Sequence, residues 1–183
     1  MKNTELLTYM LEDIRKVTLK GIEGLTKEQL FAEPIPGEAQ IGAYLMHLAE
    51  VDLFWLSIMD GKEIDAELKK RAYADVWFDS GENSAPPAEI IEIDEYLETM
   101  SKCRAKVYEY IDSISDEDLE TKVYMRWTHN GEEKSKEFTP KWILYHLIEH
   151  EAHTRGQMFM LLSDLRDNDL SSAVIIAREK PAS

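Results

Sequence analysis

His146-Leu-Ile-Glu-His150-Glu-Ala-His153-Thr-Arg-Gly-Gln157 places three of the chain's five histidines within eight residues. Thr139-Pro140 just upstream supplies an N-cap and a proline suited to the first helical position, so the stretch reads as part of a helix running to about Leu165. Spacings of three and four residues bring side chains onto one face of a helix, and histidine is the side chain most often found ligating metals. With His146 set at 0° and about 100° per residue, His150 falls at about 40°, His153 at about −20° and Gln157 at about 20°. Trp142 and Met160 share the arc at about −40°, which predicts that the histidines face inward among large apolar side chains. His146 and His153 are separated by about 10.5 Å of axial rise, too far for easy sharing of one ion. The workable pairs are therefore His146/His150 and His150/His153, and His150 belongs to both.

Three more long helices are expected upstream. Residues 5–20 carry Leu6, Leu7, Met10, Leu11, Ile14 and Val17 at helical spacing, with Gly21 as the stop. Residues 39–59 follow, stopped by Asp60-Gly61, with His47 on an apolar stripe that includes Tyr44, Val51 and Phe54. The third helix spans 93–111 and carries Cys103 on its apolar side, as a small core residue. Thr26-Lys-Glu-Gln29 has the form of a capping box opening a short helical turn, which Pro34 and Pro36 break. Residues 63–74 suit a further helix, and residues 79–87 have turn and loop chemistry. Val123 to Trp127 alternates apolar and polar residues ahead of Asn130-Gly131, so residues 121–138 are expected to form a small β-hairpin. His129, beside that turn, is expected to be exposed and uninvolved in any site.

The sum is all-α: a four-helix bundle over residues 1–166 with the hairpin inserted before the last helix, then a C-terminal tail, 167–183, whose Ala173-Val-Ile-Ile-Ala177 can dock on the bundle. Bundles of this kind build sites from inward side chains on facing helices, which makes His47 the cross-helix partner of His150. Three protein ligands and an open position are the arrangement of a catalytic metal site.

Composition narrows the function classes. The formal charge is −15, from 21 basic and 36 acidic side chains, and no Lys/Arg-rich run offsets it. Nucleic acid and anionic membrane surfaces are therefore unexpected partners. No apolar run approaching the ~20 residues of a membrane span is evident, nor a signal peptide. A single cysteine excludes an intrachain disulfide and suits a reducing, cytoplasmic setting. No phosphate-binding glycine loop, nucleophile elbow or dinucleotide fingerprint is present.

Ile41-Gly-Ala-Tyr-Leu-Met-His47-Leu-Ala-Glu50 with the following Trp55, together with His150-Glu-Ala-His153-Thr-Arg155-Gly156-Gln157, resembles the DinB/YfiT-like superfamily over most of the chain. The resemblance implies an up-down-down-up four-helix bundle and a divalent ion, zinc or nickel, held by one histidine on the second helix and two on the last. His47 and His150 match the first two ligand positions. Thr154 stands where the family usually has the third histidine, and threonine is a poor ligand. The site has then shifted to His47, His150 and His153, or to His47, His146 and His150, or has lost its metal. His153 is preferred because it adjoins the lost position.

The resemblance further implies a small-molecule substrate, a homodimer, and chemistry such as thiol-dependent transfer, isomerisation or hydrolysis. A divalent ion in a dry cavity lowers the pKa of a bound thiol or water and so creates a nucleophile. Glu50, Glu149 or Glu151 would orient a ligand or move a proton. The alternative is a non-catalytic stress-response or binding protein in which the histidines are core residues.

Overall fold

The computed structural model describes residues 1–76 and 86–178, and side chains as far as residue 163. Four long helices form the bundle: α1 (Asn3–Gly21), α3 (Ile41–Asp60), α5 (Ile93–Ser113) and α6 (Pro140–Arg178). Two short helices, α2 (Lys27–Phe31) and α4 (Ala66–Arg71), and an antiparallel hairpin of β1 (Val123–His129) and β2 (Glu132–Phe138) lie in the connections. Most of the expected 79–87 turn region falls outside the described residues, as do the side chains of Ala173–Ala177.

The boundaries follow local chemistry. Thr26 accepts from the Gln29 N–H and Gln29 answers to the Thr26 N–H, closing the capping box of α2. Gly61 ends α3 in the left-handed conformation that glycine adopts without strain (φ 68°). Asn130 and Gly131 both have positive φ (53° and 77°), as a two-residue hairpin turn matched to strand twist requires. Thr139 caps α6 by accepting from the Trp142 N–H. The N-terminus of α1 is capped from a distance: Asp116 accepts from the Asn3 and Thr4 N–H groups at 2.8 and 2.9 Å. Those backbone bonds hold its carboxyl below the ordinary range. The last helix continues to Arg178 rather than ending near Leu165. Between Gln157 and Arg178 the sequence contains neither glycine nor proline, and Pro181 is the first residue able to stop it.

The core forms where α3 packs against α5 and α6, and α1 against α6. Every residue from Ile41 to Glu50 is buried, so the first half of α3 is enclosed on all sides. α3 is also long and apolar enough to cross a membrane by length and composition, with mean hydropathy 1.3. Yet 78% of that window is buried inside the bundle, which is the position of a core helix. Cys103 is fully buried there, and burial pushes its thiol up to about 12. Close approach is enforced at Gly21, where a Cβ would lie 1.9 Å from the Phe159 ring. The hairpin, by contrast, is largely exposed, with Phe138 its one buried residue.

Candidate metal centre

The buried side of α6 consists of Ile143, Leu144, Leu147, Glu151, Thr154, Met158, Leu161 and Leu162. On the scale used above these residues fall between about 60° and 160°. The histidine arc is therefore the flank of the buried face rather than its centre, which corrects the inward orientation expected for it. Leu144, Leu147, Glu151, Thr154 and Met158 repeat at spacings of three and four and make the true core stripe. Trp142 and Met160 had suggested otherwise, but they remain 41% and 74% exposed.

Across that flank the histidines separate. His47, buried on α3, and His150 on α6 come together with ring centroids 5.0 Å apart. His146 follows His150 at 5.7 Å, stacks on Trp142 at 4.9 Å and 10°, and meets the edge of Trp55 at 5.2 Å. His153 is exposed to solvent and makes no ring contact with this group among the described residues. His129 is exposed at the end of β1. Thr154, one turn beyond His150, is 3% exposed and points into the bundle.

The glutamates divide just as clearly. Glu50, 3% exposed, places Oε2 3.2 Å from His47 Nδ1. A carboxylate in that place accepts the Nδ1 proton and fixes the tautomer whose Nε2 carries the lone pair, as partners of metal-bound imidazoles do. Glu149 lies on the wet side, 3.4 Å from His146 Nδ1. Glu151 is elsewhere altogether, in a buried ring of charge. Its Oε1 accepts from Arg15 Nε at 2.9 Å and its Oε2 from Arg104 Nη2 at 2.8 Å. Asp52 Oδ2 closes the ring by accepting from Arg15 Nη2 at 3.2 Å and Arg104 Nε at 2.9 Å. The remaining guanidinium donors reach the Met100 and Leu11 carbonyls. Burial alone would push the Glu151 carboxyl up, but the two guanidinium groups beside it outweigh burial and hold it below its ordinary value. Each of the four long helices contributes one member, and none of the four was singled out as a pair from sequence. The available signal was a charge in a core stripe, as at Leu11-Arg15-Thr18 and Leu147-Glu151-Thr154.

Two imidazoles on one tetrahedral ion, each at about 2.1 Å, hold their centroids about 5 Å apart. The His47–His150 spacing matches, and the Glu50 contact supplies the supporting carboxylate. Among the described residues, however, no three histidine, cysteine or carboxylate side chains converge closely enough to hold a metal ion. The donor set fits part of a three-histidine centre and lacks its third corner.

The DinB superfamily model matches residues 10–158. The chain belongs to the DinB superfamily. Solved structures agree on the fold. A conserved protein from Enterococcus faecalis superposes with a TM-score of 0.70 at 15% identity, covering 91% of this chain and 99% of its own. A DinB-like protein from Bacillus cereus ATCC 10987 gives 0.57 at 22% identity, covering 87% of each chain. No curated protein matches. Within this DinB bundle, the hairpin before the last helix and the His47–His150 pair across α3 and α6 are both in the places expected from sequence.

Proposed function

We propose that this DinB-family chain is a cytoplasmic small-molecule-binding protein built around a reduced metal site. His47 and His150 remain as donors, and a divalent ion, zinc or nickel, binds them weakly and reversibly. Thr154 carries the proposal: its buried side chain occupies the place the family resemblance assigns to the third ligand. His153, the sequence's preferred substitute, faces solvent. Two imidazoles leave an ion largely hydrated, so it exchanges freely instead of acting as a resident Lewis acid.

Equilibrium dialysis of wild-type protein against zinc and nickel at neutral pH tests this. Weak binding that disappears in His47→Ala and His150→Ala is expected. A stoichiometric ion retained against a chelator contradicts it.

One observation favours a metal-dependent transferase or hydrolase instead. His146 lies beside His150 on the same flank, with ring centroids 5.7 Å apart, and is the nearest further imidazole to the pair. When bound, the ion would supply an activated water or thiol, while Glu50 holds the His47 ring and the neighbouring aromatic side chains limit water. Under that alternative, His146→Ala abolishes ion retention and His153→Ala leaves it intact.

A further inference from the structure

A cavity of about 340 Å3 opens beside the histidine flank, lined by Lys136, Glu137, Phe138, Thr139 and Trp142. One face of the Trp142 indole is taken by His146, and its ring also meets Trp55 at 5.7 Å and Phe138 at 4.8 Å. Even so, Trp142 stays 41% exposed. An indole held in place by three ring neighbours, with area still open to a cavity, is a stacking surface whose own conformational cost has already been met by the fold.

The charge beside it departs from the average of the chain. The chain carries −15 overall, yet residues 122–138 hold four basic and three acidic side chains. Strand alternation puts Lys136 and Phe138 on one face of β2 and Glu137 on the other. The Glu137 carboxylate is engaged by Lys122 at 3.0 Å and by the Tyr124 hydroxyl at 3.1 Å. Lys136 faces Met125 across the strands and joins no ion pair among the described residues. Its ammonium sits 5.0 Å from the centre of the Phe138 ring, at the cavity wall. A cation above the Phe138 ring, next to an open indole, matches a ligand that is flat and apolar at one end and negative at the other.

We propose that the cavity beside Trp142 binds a planar aromatic carboxylate, with its ring against the open area of Trp142 and its carboxylate on Lys136. This names a ligand class for the binding function proposed above and places that ligand one indole away from His146. A neutral aromatic would lose the Lys136 contact, and a saturated ring acid would lose the stacking.

The test is titration of the wild-type protein with 1-naphthoate, followed by tryptophan fluorescence and calorimetry, with a chelator present throughout. The chelator makes the outcome independent of the metal site, whose own fate is decided by the dialysis above. Saturable one-to-one binding is expected, with 1-naphthamide about threefold and cyclohexanecarboxylate about tenfold weaker. Lys136→Gln, on the exposed hairpin where folding is not at risk, should weaken naphthoate by about threefold and leave naphthamide unchanged. Trp142→Ala, checked for folding by circular dichroism, should weaken both aromatic ligands by about tenfold. Absence of saturable naphthoate binding by wild type overturns the proposal. So does binding that neither substitution alters, or equal affinity for the acid and the amide.

Discussion

Two polar clusters flank the same helix, and they are built to opposite standards. On the core side of α6, the Arg15–Asp52–Arg104–Glu151 ring matches two guanidinium groups with two carboxylates and reaches all four long helices. On the neighbouring flank, the histidines grade from buried His47 through His150 and His146 to exposed His153. The ring balances two cations against two anions, with Asp52 Oδ1 its one buried oxygen left without a hydrogen-bond partner among the described residues, and it acts as a structural joint. The row that begins in the core, ends in solvent and lacks its third donor is the one we propose as a site. Charge balance, more than burial, separates the polar cluster that holds the fold from that row.

The ring supplies the largest expected effect. Glu151→Ala leaves Arg15 and Arg104 buried without one of their two anions, and breaking a buried pair in this way costs about 3–5 kcal/mol. Urea denaturation measures it directly. A loss below about 1 kcal/mol would show that Asp52 alone suffices and that the ring is not the joint described.

The same carboxylate gives a pH signature. Its folded-state pKa is depressed by the two arginines despite burial, so its stabilisation is present above the unfolded value of about 4.3 and is lost as pH falls through the folded value. The stability gap between wild type and Glu151→Gln should therefore be constant near neutrality and narrow below about pH 4. A gap that stays constant down to pH 3 would mean that Glu151 is not charged in the ring.

Both helical substitutions on the exposed side of α6 should be small. Gly156 lies mid-helix with open space around its missing Cβ, so Gly156→Ala should stabilise by about 0.5–1 kcal/mol. His153→Ala should change stability by less than about 0.5 kcal/mol. Thermal unfolding checks both. A marked loss at either position would reveal a contact made by this face in solution.

The bundle itself was legible because periodicity and punctuation agreed. Asn130-Gly131, Thr139-Pro140, Thr26–Gln29 and Gly61 each mark an element boundary by local chemistry alone, and the structure follows them. The end of α6 was misplaced because nothing between Gln157 and Arg178 breaks a helix. The His47–His150 pair was legible because two helices in a bundle must face one another. The inward side of α6 was misjudged because Trp142 and Met160 drew the apolar stripe toward the histidines, while Glu151 and Thr154 made the true core stripe look polar. The charge ring was hidden for a related reason: its members lie on four helices, and no spacing within one helix pairs them. What sequence did offer was charge at core-stripe positions, which the cost of burying an unpaired ion turns into a prediction that a partner exists.

Thr154 is where the two clusters meet: it belongs to the core stripe of α6 and stands one turn from His150. Zinc and nickel affinities of wild type and Thr154→His, measured by competition with a chromophoric chelator, test the central claim. A single missing donor predicts at least a tenfold gain in the variant, with one ion per chain and a matching rise in melting temperature on metal addition. Equal affinity in the two proteins, with wild type already binding one ion tightly, would show that the histidine row is complete without position 154.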